Sequence, residues 1–448
     1  MLGGYIFLAA VALTTGLATL WWPAKTAGVL LLFAPIIWGG GAADIHSQGP
    51  TPPNIAVAVS GVATLMYGRF LLRPQKIRPL KWLRTASIVY CLTILPSIFI
   101  GAFSFQSFSG YVRLVSPVVF MFALLDGSCT RGVNAFHFKT FTLATVSLLG
   151  VIIAAQYMGE GSFAMGGFDR LRAFNLPPHN ISLYSVAASG ALVCGILLGT
   201  HRFVYAMGIV ALVICTYLTG FRTAWVGMAV MMSVVMITAV RSRSVKFIAL
   251  LVTLALLGQT STIVRSLERY AREDEAMSVD TADEITSGRI TEDSAALNGF
   301  LASGPTAWLF GIGVYSSQQL TLQETGTGFG VHSDPLATFI ECGAVGLLGY
   351  LFLLVTIGCV LLRVRRCLPQ QHAARTFVSV GFALFVAFTT MGISGALYTN
   401  VFVGWYYYGF LGFALGQLRA SKSVFRQLLS TECQSRSHTT YGKATSCA

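Results

Sequence analysis

Residues 181–240 read ISLYSVAASGALVCGILLGTHRFVYAMGIVALVICTYLTGFRTAWVGMAVMMSVVMITAV. Only Arg202 and Arg222 carry a fixed charge here, and each falls at a break between apolar runs near 181–199, 203–219 and 223–240. Runs of this length approach the roughly 20 residues that a helix needs to cross a bilayer. A soluble segment of the same length carries about 25% charged residues. Lipid, not water, must therefore solvate these faces.

The pattern extends outward over most of the chain. Of 448 residues, 54% are hydrophobic and 10% charged, and the mean hydropathy is +0.69. Further apolar runs lie near 3–21, 26–43, 54–72, 86–103, 111–127, 138–158, 245–263, 336–362, 375–394 and 397–418. The runs at 26–43 and 111–127 are short or interrupted, so the sequence predicts 12–13 spans in an all-α, polytopic membrane protein. The first run lacks the basic flank and processing site of a secretory peptide, so no cleaved signal is expected. The expected organisation is transmembrane helices over 1–263, a long outer loop over 264–335, more transmembrane helices over 336–418, and a disordered inner tail over 419–448.

A net charge of +13 could suggest a nucleic-acid partner, but its placement says otherwise. Lys and Arg cluster in alternate loops: Arg69 to Arg84, Arg131 and Lys139, Arg241 to Lys246, Arg363 to Arg375, and the tail. This is the positive-inside signature of cytoplasmic loops. Nearly every acid except Asp126 and Glu432 falls on the other side. The nine cysteines show neither a CxxC pair nor zinc spacing, so no disulfide framework or metal site is expected.

Three outer segments exceed a simple turn. The loop 159–180 contains FDRLRAFNLPPHN, with Asn180 expected to cap the next helix. TGFRTAW (219–225) is a tight corner. The loop 264–335 is long enough to be functional or a small domain. It predicts a helix near 290–302 with Ile290, Ala296, Leu297, Phe300 and Leu301 on its apolar side, stopped by Ser303-Gly304-Pro305. FGIGVYSS then forms a glycine-flanked turn.

The stretch GVHSDPLATFIECGAVGLLGY (330–350) opens with polar residues and continues as a membrane helix. Asp before Pro is a helix-start signal, which puts His332 just outside the helix. Gly343, Gly346 and Gly349 share a stripe suited to close packing. Glu341, two turns after Asp334 on about the same face, must avoid lipid, where a carboxylate costs about 2.5–3.5 kcal/mol at mid-membrane on insertion scales. Asp334 and Glu341 also read as a cap and an interhelical hydrogen bond. Outer loops are normally poor in arginine, so Arg222, Arg289, Arg170 and Arg172 need a reason. Guanidinium groups bind phosphate bidentately and stay charged; the bland alternative pairs them with lipid headgroups or with acids such as Asp169 and Glu292.

In that order, these segments resemble the O-antigen polymerase and O-antigen ligase superfamily of bacterial glycan transferases. LTGFRTAW is similar to its span-loop-span corner, SGRI…SGPTAWLFGIGVYS to its Gly-Arg, helix, Pro, Gly-x-Gly segment, and VHSDPLATFIECGAVGLLGY to its histidine segment. Together with RLRAFNLPPHN they cover roughly residues 165–360. Phe221, Ser333 and Asp293 depart from the residues common there (serine, asparagine and tryptophan). The resemblance implies glycan transfer from polyprenyl diphosphate at the periplasmic face of the inner membrane. His332 would be the base and Arg222 and Arg289 the diphosphate clamp. Arg170, Arg172, Asp334 and Glu341 would contact or support substrate. No metal or other cofactor is expected. Expected partners are the polyprenyl-diphosphate-linked oligosaccharide, an acceptor glycan (lipid-linked, or lipid A-core in a ligase), membrane lipids and a chain-length regulator. The competing class is a lipid-linked glycan transporter, disfavoured because the spans read as nearly free of charge.

Overall fold

The computed structural model describes residues 13–41, 55–100, 105–127, 131–159, 161–165, 168–174, 176, 178–199, 201–239, 289–314, 316–325, 331–369, 373–395 and 401–420. The expected span at 245–263, the first part of the long loop and the tail beyond 420 lie outside the described residues. The helices are α1 (Pro23–Gly41), α2 (Ile55–Leu72), α3 (Arg78–Thr93), the short α4 (Ser97–Ile100), α5 (Phe105–Gly127) and α6 (Arg131–Tyr157). After the loop at 159–177 come α7 (Pro178–Leu198), α8 (Arg202–Leu218) and α9 (Arg222–Thr238). The outer segment supplies α10 (Arg289–Ala302), α11 (Pro305–Phe310) and α12 (Ser316–Thr325). Then follow α13 (Asp334–Cys367), α14 (Ala373–Ser394) and α15 (Val401–Ala420).

Among the described residues six helical stretches are long and apolar enough to cross a bilayer: Arg78–Ile100, Ser107–Gly127, Ala135–Tyr157, Pro178–Leu198, Asp334–Cys367 and Ala373–Ile393. Four shorter apolar helices accompany them at Pro23–Pro35, Val59–Leu72, Arg202–Leu218 and Arg222–Thr238. This is a polytopic helical membrane fold, as the hydropathy pattern predicts. One addition is a hairpin in the loop before α7, where β1 (Ser162–Met165) pairs antiparallel with β2 (Phe168–Leu171), Ser162 opposite Leu171. Gly166-Gly167 between the strands is the residue pair that favours such a loop. Asn180 lies inside α7 instead of capping it, because Pro178 already suits the first helical position.

The centre of the bundle is α15, lined almost continuously by buried side chains from Val401 to Leu418. It packs most extensively on α5. Trp405 stacks on Phe120 with centroids 5.1 Å apart, and Tyr406 donates to the Phe141 carbonyl at 2.7 Å. Enclosed by protein on all sides, this helix tolerates a tryptophan and three tyrosines in a row that a lipid-facing helix would place at its ends.

The two ends of the bundle differ as the charge pattern predicts. At one end Arg69 donates to the Thr19 carbonyl, Arg73 meets Asp126 at 3.4 Å, His137 bonds the Ala24 carbonyl at 2.8 Å, and Arg365 reaches the Thr238 carbonyl at 3.1 Å. These contacts join segments assigned to the basic side in two groups, 19–24 with 69–73 and 126–137, and 238 with 365. The opposite end carries the 219–225 corner and the start of α13. One buried charge departs from the reading of clean spans: Arg113, in α5, is only 9% exposed. In sequence it looks like the edge of a span, because the helix begins six residues before the expected 111.

Candidate functional site

The long outer segment folds around its own small core, separate from the large one. Ala296 and Phe300 of α10, Ala307 of α11, Val331, and Ala337 and Ile340 of α13 form it. Phe300 meets Phe339 edge-on, with centroids 4.9 Å apart. The expected helix is therefore present, with Ala296 and Phe300 inward; Leu301, expected on the apolar side, is exposed.

The helix that follows His332 is not continuous. Gly343 has φ 69° and ψ −174°, a conformation only glycine adopts readily. The break frees carbonyls of the preceding turn, which must find other donors. The Gly-x-Gly turn supplies them: Ile312 N–H donates to Ile340 O at 3.1 Å and Gly313 N–H to Glu341 O at 3.1 Å. The approach is so close that a Cβ on Gly311 would lie 2.1 Å from the Glu341 oxygen, and one on Gly343 would lie 2.3 Å from the Leu309 carbonyl carbon. Gly343 thus breaks the helix as well as admitting a close neighbour, the Leu309 backbone, beyond the helix-to-helix packing the stripe predicted. Gly349 does fill that role, against Thr93 of α3.

The break also explains where Asp334 lies. Asp334 and Tyr350 line one cavity, together with Tyr90, Pro117, Thr389 and Tyr408. In an unbroken helix these two positions, sixteen residues apart, would be separated by about 24 Å. The break at Gly343 bends α13, and residues of both halves reach this cavity.

Two turns apart, the paired acids of α13 meet different neighbours. Asp334, 4% exposed, comes against Gly392 near the outer end of α14. Glu341, 1% exposed, accepts a short hydrogen bond from Ser317 of α12. Glu341 therefore ties the outer segment to the break.

His332 is 25% exposed, and its Nε2 lies 2.8 Å from Oε2 of Glu292. Its backbone N–H donates to Asp293 Oδ1 at 2.9 Å. Glu292 sits in the first turn of α10, where the helix dipole favours negative charge, and Asp293 follows it. Glu292 thus engages the histidine, although the sequence offered it only as a partner for arginine. The pair spans forty residues, so no local spacing could announce it.

Arg222 and Arg289 each open a helix, α9 and α10. The dipole disfavours a cation there by about 0.3–1 kcal/mol, so both helix starts are unusually positive. Arg222 is half-buried and has no hydrogen-bond or ion-pair partner among the described residues. A Cβ on Gly395 would lie 3.8 and 3.4 Å from its neighbours Phe221 and Thr223, one turn beyond the Gly392 that Asp334 adjoins. The corner and the start of α13 thus converge on the outer end of α14. Arg289 stands one turn before Glu292. The side chains of Arg289 and Arg170 lie outside the described residues. Arg172 donates its Nε to the Phe174 carbonyl at 2.9 Å, a bond within its own loop. His179 contacts Phe221, with centroids 6.1 Å apart, which seats that loop against the corner.

A family model described as O-Antigen ligase matches residues 207–351, from within α8 to the second half of α13. The matched stretch holds Arg222, Glu292 and His332. A search of curated proteins gave no match.

Proposed function

We propose that this protein is an inner-membrane glycan polymerase that joins polyprenyl-diphosphate-linked oligosaccharide units at the periplasmic face. The observation that carries this reading is the Glu292–His332 pair, one turn from Arg289. A carboxylate holding a histidine in place is the usual setting of a general base. With Nε2–H donated to Glu292, the basic lone pair lies on Nδ1. An acceptor hydroxyl attacks the anomeric carbon, its proton passes to Nδ1, and the bond from that carbon to the diphosphate oxygen breaks. The leaving diphosphate keeps the electron pair, and Arg222 and Arg289 stabilise its added charge. Arg170 and Arg172 are assigned to the glycan path, Asp334 to sugar contact, and Glu341 to support of the loop.

Neutralisation by arginine leaves no step to a divalent cation. Transfer by the purified protein is expected to persist in excess chelator, and loss restored by Mg²⁺ would overturn that part. The ligase reading, transfer to lipid A-core, is favoured by the description of the matched family. Deletion followed by glycan analysis separates the two. A missing polymerase leaves single repeat units on the final acceptor; a missing ligase leaves long chains on the carrier lipid. Unchanged glycans in the deletion strain would refute both.

A further inference from the structure

The outer segment presents apolar side chains that its own core does not use. Leu301 is 45% exposed, Trp308 41% and Leu309 51%. They adjoin one another, because Trp308 Nε1 donates to the Leu301 carbonyl at 3.1 Å and Leu309 follows in α11. No Asp, Glu, Lys or Arg falls between residues 294 and 323, although soluble segments carry about 25% charged residues. The end of α10 is also self-sufficient. A helix leaves its last four carbonyls without internal donors. Here the Gly299 carbonyl accepts from the Ser303 hydroxyl, that of Phe300 from the Ser303 N–H, and that of Leu301 from the Trp308 ring. Backbone in contact with lipid must satisfy itself in this way; backbone in water need not.

What covers these side chains follows from where α11 sits. A Cβ on Gly343 would overlap the Leu309 carbonyl, so α11 abuts α13 at its break. Beyond the break α13 turns a stripe outward through Leu348, Leu351, Phe352 and Val355, all exposed at helical spacing. One turn nearer the break, Ala344 and Val345 are half-buried, so the stripe runs up to Gly343. In a helix long and apolar enough to cross a bilayer, such a stripe faces acyl chains. Leu348 is five residues from Gly343, about 7.5 Å along the axis. The apolar face of α11 therefore continues a surface that lipid already covers.

We propose that Leu301, Trp308 and Leu309 are seated in the acyl-chain region of the leaflet opposite the basic loops. α10 and α11 share the small core, so this seat sets the depth of the Glu292–His332 pair. The proposal does not depend on the transferase reading. The test places an environment-sensitive fluorescent amino acid at position 309, and in a second variant at 301, by amber suppression. Each full-length protein is held as one copy per nanodisc of phosphatidylcholine brominated on its acyl chains, with iodide as the water-borne quencher. A probe at position 355 sets the scale for a bilayer-facing site. Bromine should quench the probes at 309 and 301 at least half as strongly as the one at 355. Weaker bromine quenching at either position overturns the proposal: with iodide quenching the face lies in water, and without it protein covers the face. Both positions are exposed, so neither probe enters a core, and unchanged melting temperatures check this.

Discussion

The large core and the small outer core are built by opposite means. Around α15 the large core is held by interlocking aromatic rings, by glycines that admit a neighbour, and by scattered buried hydrogen bonds such as Tyr406 to the Phe141 carbonyl. The outer core has six buried side chains and is fastened by individual polar contacts: Ser317 to Glu341, Gly313 to the Glu341 carbonyl, and Asp293 to the His332 backbone. The candidate base stands on the second kind of structure. Its geometry depends on a few replaceable bonds, whereas the bundle spreads its stability over many contacts.

The sharpest break in that comparison is Gly311→Ala. Left-handed backbone at φ 83° costs about 1–3 kcal/mol in strain, and the new methyl would overlap the Glu341 carbonyl. We expect transfer to be abolished while the bundle still inserts, measured as polymer on gels beside protein recovered from membranes. Active Gly311→Ala protein would show that the turn does not cap the break. Next is His332→Ala, for which single-turnover transfer should fall by about 10²–10⁴-fold with the melting temperature held. Glu292→Gln, which keeps the shape but weakens a charge-assisted bond, should cost about tenfold, or ~1.4 kcal/mol. A larger effect from Glu292→Gln than from His332→Ala would reverse their assigned roles.

Arg222→Lys sharpens the comparison from the other side, because the corner belongs to the bundle yet meets α14 near the start of α13. Losing the fork should remove about 1.5–3 kcal/mol of charge-assisted bonding, roughly a tenfold to hundredfold drop in transfer. Near-wild-type polymer from that variant would refute the clamp. Smallest in its effect on chemistry is Gly349→Ala, which presses a methyl into Thr93. It should lower stability by about 1–3 kcal/mol and leave activity per folded molecule unchanged. A drop in turnover at equal folded concentration would mean that the α3–α13 contact reaches the site.

The bundle was largely legible because hydropathy and loop charge are local signals. Arg69 and Arg73 on one hand, and Arg365 on the other, each bond a neighbouring segment assigned to the same side. The corner, the glycine turn and the helix of the outer loop were legible too, each carrying its own punctuation. The break at Gly343 was not. ECGAVGLLGY has the composition of an unbroken apolar helix, and what stops it is a turn thirty residues earlier that satisfies the freed carbonyls. Glu292 was visible as a first-turn acid but not as the partner of His332. Arg113 stood inside the expected span at 111–127, but nothing local announced its burial. What sequence withheld was contact between segments distant along the chain.

The clamp at the break works through main-chain N–H groups of residues 312 and 313, and this has an outcome for sequence drift. Position 312 needs only an apolar side chain to suit the small core, so many exchanges there are neutral. Positions 311 and 343, whose side-chain space is already filled by backbone, admit almost none. In a saturation library scored by polymer synthesis, the two glycines should stand as isolated intolerant columns with a permissive neighbour at 312.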